Sequence, residues 1–222
     1  MSVYGLPSVS VVYSICYDVE IRPVRADVLF EVRNTAASVR KSTAALSAYS
    51  DPVVSRYRAF IEGIGYESSS RIKISSEELL KKALSTGKIP PHNTVVDLVN
   101  VASLLTRIPM CVVDFDRVAP PLRLTHLTRE LLVRDFKGRE LRIPKGAIVL
   151  EDRVGRAVYV YPHGATDVAS VTSSTRNVII VSYGAPGVPA SLVVSSTRLA
   201  KKYVESYIHG AQCTHPDLGK IT

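Results

Sequence analysis

Two polar side chains larger than serine, Asp97 and Asn100, interrupt an almost wholly apolar stretch at residues 95–105. Residues three positions apart lie on one face of a helix, so we expect both side chains to point the same way. Burying such groups without hydrogen bonds costs about 1–3 kcal/mol each, so protein or ligand atoms must meet them. The helix dipole explains an acidic residue near the helix start, whereas helix geometry gives no reason for an asparagine one turn later. Asn100 is therefore the sharper candidate for a ligand contact.

A predicted loop at 163–175 supplies a second set of polar residues. His163 follows an apolar stretch, and Asp167 lies four residues further on. A loop histidine near a carboxylate can act as an acid or base or can bind a ligand, although an ordinary surface histidine fits equally well. Six serine and threonine hydroxyls lie within residues 166–177, a density that suits either turns or a polar ligand.

Covalent, nucleotide-dependent and metal chemistry have little support in the sequence. Cys111 lies in an apolar stretch, where a thiol usually behaves as a small hydrophobe and not as a nucleophile. No glycine-rich phosphate loop occurs. The three cysteines, Cys16, Cys111 and Cys213, are an odd number without metal-like spacing, which argues against both a disulfide framework and a zinc site. We expect no metal, no organic cofactor and a reducing cytoplasm.

The charge of the chain favours an anionic partner such as nucleic acid. Lysine and arginine number 28 against 20 acidic residues, which gives a net charge of +8. No run of five or more basic residues occurs, so a solvated basic surface is the plain alternative. No apolar window is long enough for a membrane helix and no leader pattern is visible, so we expect a soluble, unexported protein. The single glutamine and the lack of tryptophan suggest a thermophilic source.

The elements that must position these residues are helices in the first half of the chain and strands in the second. One long or two short helices are predicted over 27–49, and a last helix over about 190–208. A second helix is predicted to follow an Asp51 cap and Pro52. Two more are predicted at 76–86, behind a capping box of Ser75 and Glu78, and from an Asn93 cap onward.

Alternating apolar residues predict a half-buried strand at 9–16. Short strands are predicted over 122–162, with turns at Lys137-Gly138 and Lys145-Gly146, and another strand at 177–183. Because helices and strands segregate along the chain without βαβ alternation, the predicted fold class is α+β.

Four segments taken together resemble a known family. They are NTVVDLVN at 93–100, IPMCVVDFDRV at 108–118, the leucine-rich strand at 122–127, and VTSSTRNVIIVS at 171–182. In this order they are similar to the B3/B4 domain, the tRNA-editing module of the phenylalanyl-tRNA synthetase beta subunit, which also occurs as a free-standing protein. The resemblance covers about residues 53–208 of what we expect to be a single domain over 1–222, with 1–52 as an N-terminal strand and helical extension.

The resemblance implies an α+β fold in which N-terminal helices pack on a mixed, largely antiparallel β-sandwich and a C-terminal helix closes the structure. It also implies a cytoplasmic protein that binds the acceptor end of mischarged tRNA and hydrolyses the aminoacyl ester in trans. Neither DNA nor a membrane is expected as a partner. Where bacterial members have Thr, His and Glu, this chain has Val99, Cys111 and Val181.

A set of site residues follows from the resemblance. The catalytic candidates are His163, Asp167 and Asn100. The expected substrate-binding residues are Asn93, Asp97, Asn100, Met110, Cys111, Ser170, Thr172 and Thr175. Two other functions fit the same sequence: a non-catalytic RNA-binding module, which the apolar residues at bacterial pocket positions favour, and a protein that binds a free amino acid or another small ligand. The chain has no synthetase catalytic core, so we do not expect ligase activity.

Overall fold

A computed structural model describes residues 1–23, 25–43, 48, 50–64 and 73–221 of the 222-residue chain. Within these ranges the chain forms five α-helices and thirteen β-strands, and all but one of the helices precede most of the strands. The predicted α+β class is confirmed. The end of the predicted helix 27–49, at 44–47 and 49, lies outside the described residues. No helix in the described ranges has the length and hydropathy that a membrane crossing requires.

Two of the five helices begin at side-chain caps that were predicted. Their bounds are α1 Ala26–Ser42, α2 Pro52–Gly63, α3 Ser75–Thr86, α4 Thr94–Thr106 and α5 Ala190–Tyr207. Asp51 caps α2 by accepting hydrogen bonds from the backbone N–H groups of Val53 and Val54 at 3.0 and 3.2 Å. Asn93 caps α4 by accepting from the Val96 N–H at 3.0 Å. Both of these predicted caps are confirmed.

The predicted capping box at the start of α3 is wrong. Ser75 is already helical, and Ile74 occupies the cap position without a side-chain hydrogen bond. The Ser75 N–H instead donates to the carbonyl oxygen of Pro162 at 3.0 Å. A tertiary contact therefore takes the place of the local cap. The Ser75 hydroxyl is buried and bonds to none of the described residues.

Helix α4 has protein on most of its sides. It contacts α1, α3, α5 and the strand that follows it, and Val95, Leu98 and Val101 are completely buried. The burial predicted for an almost wholly apolar helix is therefore confirmed. The helix ends at Arg107, which has a φ of 65° and donates a hydrogen bond from Nε to Asp51 at 3.0 Å. This ion pair joins the end of α4 to the start of α2.

The strands form two main sheets and a separate hairpin. Their bounds are β1 Val3–Gly5, β2 Val11–Tyr17, β3 Met110–Asp114, β4 Leu122–His126, β5 Leu131–Arg134, β6 Glu140–Ile143, β7 Ile148–Glu151, β8 Ala157–Val160, β9 Gly164–Ala165, β10 Val178–Tyr183, β11 Gln212–Cys213, β12 Asp217–Leu218 and β13 Lys220–Ile221. One sheet has the order β13-β1-β4-β7-β8-β9, and the other has the order β11-β2-β10-β3 with β12 also paired to β2. β5 pairs with β6 alone. Only the pairs that β1 makes with β4 and β13 are parallel among the described strands, so the predicted mixed, largely antiparallel arrangement is confirmed.

Strand β2 is buried on both faces, whereas the alternation predicted a half-buried strand. Helix α5 packs on it, and β10 and the C-terminal strands flank it. The polar residues of the strand find partners: the Ser14 hydroxyl donates to the Thr214 carbonyl oxygen at 2.7 Å. Because its polar groups are satisfied, the second face can be buried without a large cost.

A disulfide joins Cys16 on β2 to Cys213 on β11 across 197 residues of sequence. The expectation that the cysteines form no disulfide is therefore wrong. Folding brings together two residues that no local spacing connects, and Cys111 is left as a buried free thiol. Since β11 and β12 both lie along β2, the bond fastens the C-terminal segment to this sheet.

Candidate functional site

A cavity of about 510 Å³ lies between α3, α4, β3, the tip of the β5–β6 hairpin and the loop that follows β8. Its size falls within the range of about 300–1,000 Å³ that is typical of small-molecule sites. Several residues that the sequence singled out share its wall: Asn93, Asn100, Met110, Cys111, His163 and Ser170. Two segments that are distant in the sequence, 93–111 and 163–170, therefore meet at one site.

One face of α4 forms a wall of the cavity. Asn93, Val96, Asn100 and Ser103 recur at intervals of three or four residues, so they lie along a single side of the helix. The helix leads directly into β3, which forms the adjoining wall. The rest of α4 is packed against other helices, so this face is held rigidly toward the cavity.

The two asparagines of this face differ in their hydrogen bonds to the protein. Asn93 has its side-chain oxygen committed to the helix cap, and its amide nitrogen bonds to none of the described residues. The side chain of Asn100 is half-buried and hydrogen-bonds to nothing in the described part of the chain. Asn100 therefore presents one acceptor and two donor hydrogens to a molecule in the cavity.

His163 presents a donor to the cavity. Its Nδ1 accepts a hydrogen bond from the backbone N–H of Lys73 at 3.0 Å. Burial lowers the pKa of His163 below its ordinary value of 6.5, so the ring is neutral at neutral pH. A neutral ring that accepts at Nδ1 carries its proton at Nε2. The ring nitrogen left for a ligand is thus an N–H group.

A second histidine, His92, lines the cavity although it was not predicted as a site residue. Its backbone N–H donates to Asp97 Oδ1 at 2.9 Å, and its Nδ1 lies 3.7 Å from the same oxygen. No described residue hydrogen-bonds to this buried Nδ1. In the neutral ring, a carboxylate beside Nδ1 favours the tautomer with the proton there, which leaves Nε2 as an acceptor. The signal that could have identified His92 as a site residue is its position directly before the Asn93 cap and close in sequence to the buried Asp97.

The floor of the cavity is apolar. Val99 and Cys111 line it at positions where bacterial relatives were expected to have polar residues, whereas Val181 lies fully buried in β10 beside Cys111. The Cys111 sulfur lies 3.1 Å from the Tyr183 hydroxyl. Burial raises the pKa of Cys111 to about 12, so the thiol stays protonated. It is a packing residue and not a thiolate nucleophile.

Stacked tyrosines support this floor from behind. The ring of Tyr183 stacks on Tyr159 with centroids 4.4 Å apart and meets Tyr161 edge-on at 6.0 Å. The Tyr57 hydroxyl donates to the Tyr183 carbonyl oxygen at 2.6 Å. Burial raises the pKa of Tyr183 well above 10.0. All four rings are completely buried, so the floor is rigid and uncharged.

The rim of the cavity is charged. It carries four cations, Lys73, Lys82, Lys137 and Arg139, and the carboxylates of Glu78 and Asp135. None of these was predicted from the sequence as a site residue, because they come from α3, from Lys73 just before it and from the hairpin tip, and meet only in the fold. The structure places no group of three or more His, Cys, Asp or Glu side chains together, within the described ranges, in a way that could hold a metal ion.

The remaining sequence candidates lie outside the cavity wall. Asp97 is buried, and its carboxylate accepts a hydrogen bond from the backbone N–H of His92. Thr175 is buried and donates to Asp114 at 2.5 Å. Thr172 is exposed and shares a 2.8 Å hydrogen bond with Ser174. Asp167 is exposed on a 3₁₀ turn at Asp167–Ala169.

Comparison with known proteins identifies the fold. The model of the B3/4 domain family matches residues 65–202. A crystal structure of an N-terminal fragment of the phenylalanyl-tRNA synthetase beta-subunit from Pyrococcus horikoshii is similar at a TM-score of 0.53 and 13% sequence identity. The match covers 96% of this chain and 50% of that fragment, so the chain spans about half of its length. No curated protein matches the sequence. Since the family model covers more than half of the residues, the chain belongs to the B3/4 domain family.

Proposed function

We propose that the protein binds the acceptor end of mischarged tRNA and hydrolyses the aminoacyl ester in trans, without a metal or an organic cofactor. The observation that carries the proposal is the cavity in which Asn100, His92 and His163 meet above an apolar floor. The net charge of +8 supports an anionic substrate. Membership of the B3/4 domain family supports the same class of substrate.

Water is the nucleophile in this proposal. Cys111 is the free thiol of the cavity and stays protonated, so attack by a protein sulfur is not supported. Hydrolysis then requires groups that stabilise the negative charge that develops on the ester oxygen. The Nε2–H of His163 and the side-chain amide of Asn100 are two neutral donors of the cavity lining that we assign to this role.

His92 takes the role of positioning the water, accepting its proton as the water attacks the ester carbonyl carbon, and returning that proton to the ribose oxygen when the carbon–oxygen bond breaks. With the proton of the ring at Nδ1 beside Asp97, Nε2 accepts a hydrogen bond from a water in the cavity. The 3.7 Å separation of Nδ1 and the carboxylate oxygen is longer than a hydrogen bond, and such contacts often shorten when substrate binds. The two histidines thus have complementary tasks, one as donor and one as acceptor.

The apolar floor limits the amino acid. Val99 of the floor and Val96 and Val112 of the adjoining walls offer only van der Waals contact to a side chain that rests on them. Burying a charged group there would cost far more than burying an apolar one. We therefore expect uncharged amino-acid side chains to be accepted.

The test is a panel of mischarged tRNAs labelled on the amino acid, with the rate of ester loss measured with and without protein. Asn100→Ala should lower the rate for the best substrate by about 10²–10³-fold, the usual cost of removing one oxyanion donor. Asn34→Ala, at an exposed position on α1, is the matched control and should leave the rate unchanged. Tight binding of every tRNA with no acceleration of ester loss would refute the hydrolase and support a non-catalytic RNA-binding module.

A further inference from the structure

The β5–β6 hairpin has one packed face and one exposed face. Its inner face buries Leu141 and Ile143 against the sheet that contains β7 and β8. On its outer face Leu132 lies opposite Arg142, and Arg134 lies opposite Glu140. Leu132 is 58% exposed. The hairpin is therefore anchored by its own core and presents a mixed apolar and basic surface to solvent.

The tip of the hairpin is held by Asp135. Asp135 Oδ1 accepts hydrogen bonds from the backbone N–H groups of Lys137 and Arg139 at 2.8 and 2.9 Å, and Oδ2 accepts from Arg139 Nε at 2.8 Å. Gly138, with a φ of 76°, completes the turn. Because these bonds fix the turn, the side chains that it carries are presented at a defined place on the cavity rim.

Phe136 and Lys137 form an aromatic and cationic pair at this rim. Phe136 is 47% exposed, although it also lines the cavity. Its ring centroid lies 5.7 Å from that of His92, and Lys137 Nζ lies 5.4 Å from the Phe136 centroid. Exposed aromatic rings beside cations are the groups on which proteins stack the bases of single-stranded nucleic acids.

Cations outnumber carboxylates along the hairpin. Residues 129–145 carry six basic side chains: Arg129, Arg134, Lys137, Arg139, Arg142 and Lys145. Arg139 pairs with Asp135 and Arg142 pairs with Glu130. The other four make no ion pair with any residue that the structure describes. Unpaired cations that lead toward an aromatic ring complement the phosphates of a single strand.

We propose that the outer face and tip of the β5–β6 hairpin bind the single-stranded 3′ end of RNA, with Phe136 stacking on a base at the mouth of the cavity and Lys137 contacting a phosphate. This inference rests on the proposed function, since it names how the RNA substrate of the same cavity is held. The hairpin guides the strand, and the cavity receives the group attached to its end.

Binding of deacylated RNA tests the proposal without any need for hydrolysis. A labelled acceptor-stem minihelix with its single-stranded CCA end is titrated by fluorescence anisotropy. Phe136→Ala should weaken binding by about 5- to 150-fold, the range expected for the loss of one base–aromatic stack. The same minihelix without the single-stranded end should bind equally to the wild type and to this variant.

Lys137→Ala tests the phosphate contact. In a plot of the logarithm of affinity against the logarithm of salt concentration, the slope should become shallower by about 0.7, the value for one phosphate contact on a single strand. Phe30→Ala and Lys202→Ala, at exposed positions on α1 and α5, are matched controls and should leave both the affinity and the slope unchanged.

Two outcomes would overturn the proposal. One is an affinity for the CCA minihelix that Phe136→Ala and Lys137→Ala do not change. The other is a change in sedimentation on Phe136→Ala without a change in RNA affinity, which would make the hairpin an interface between protein copies. Either result is separable from failure of the hydrolase, because that failure appears as unaccelerated ester loss by the wild-type protein.

Discussion

The two ring nitrogens of His163 can be tested separately with two substitutions. Asparagine places its side-chain polar atoms near the position of Nδ1, and glutamine places them near the position of Nε2. His163→Asn therefore keeps the acceptor for the Lys73 N–H and removes the donor to the cavity. His163→Gln keeps a donor in the cavity and removes the acceptor for Lys73. The pair distinguishes a hydrogen-bond donor from a general base.

The expected magnitudes follow from the contacts. Loss of the cavity donor in His163→Asn should lower kcat by about 10²–10³-fold, equivalent to about 2.7–4 kcal/mol of transition-state stabilisation. His163→Gln should lose less activity but should lower the free energy of unfolding by about 0.5–1.5 kcal/mol, the net value of one hydrogen bond. In a protein of this size that corresponds to a fall in Tm of about 1–6 °C.

The assay is single-turnover deacylation of the best aminoacyl-tRNA, combined with thermal unfolding of each variant. His209→Asn, at an exposed position after α5, is the matched control and should change neither quantity. If both His163 variants lose all activity while both stay folded, a donor at the position of Nε2 is not sufficient and His163 does not act as the neutral donor. The acid limb of the wild-type rate is no test of His163, because His92 is the proposed base.

Acid titration gives an independent check on His163. Burial lowers its pKa in the folded protein below 6.5, so the unfolded chain takes up the proton first as the pH falls. The stabilisation is therefore present above about pH 6.5 and is lost as the pH falls through the lowered value. The free energy of unfolding of the wild type should fall more steeply below pH 6.5 than that of His163→Asn.

Three further predictions concern the protein around the site. Although burial opposes the shift, the hydrogen bonds and the charge of Arg58 help to lower the pKa of Glu77 from 4.5. The stabilisation that ionised Glu77 gives the folded protein is therefore lost as the pH falls through that lower pKa. In urea titrations, the free energy of unfolding of Glu77→Gln should fall less at acid pH than that of the wild type. Cys213→Ser, which removes the disulfide to Cys16, should lower the free energy of unfolding by about 2–5 kcal/mol and the Tm by about 4–20 °C. A wild-type Tm that does not change when reductant is added would contradict this. Cys111 should resist iodoacetamide in the native protein and react after unfolding, as measured by mass spectrometry. Fast labelling of the native protein would show an accessible thiolate and would contradict this prediction.

Elements with local signals were predicted well from the sequence. The start of α4 follows from Asn93, whose side chain bonds to a backbone N–H three residues on, and the end of the predicted last helix agrees with α5 to within one residue. The turn at Lys137-Gly138 also follows from its own residues, since Gly138 takes up a positive φ. In each case the physical cause lies within a few residues of the feature.

Features that depend on distant contacts were missed. Ser75 has the spacing of a cap, but the Pro162 carbonyl oxygen, far along the chain, takes its N–H. Cys16 and Cys213 have no sequence relation that would pair them. His92 gains its place in the cavity from Phe136 and Asp97, and only the second of these is close in sequence.

Polar residue type alone did not separate ligand contacts from structural ones. Asn100 and Thr175 were both predicted as substrate-binding residues, yet the amide of Asn100 bonds to no described residue while the hydroxyl of Thr175 is committed to Asp114. In both cases a polar group that is removed from water without a partner carries a cost in free energy. Whether protein or ligand meets that cost depends on which neighbours the fold supplies.

The tyrosine stack behind the cavity gives the protein a built-in optical reporter. The chain has eleven tyrosines and no tryptophan, so tyrosine dominates its near-ultraviolet emission and is the main aromatic contributor to its near-ultraviolet circular dichroism. The rings of Tyr159 and Tyr183 are nearly parallel, at 3°, and the Tyr183 hydroxyl touches the Cys111 sulfur that lines the cavity floor. A molecule that settles on this floor alters the surroundings of a rigid chromophore pair. Occupancy of the cavity can therefore be followed spectroscopically, in unlabelled protein, for any compound that is itself transparent in this range.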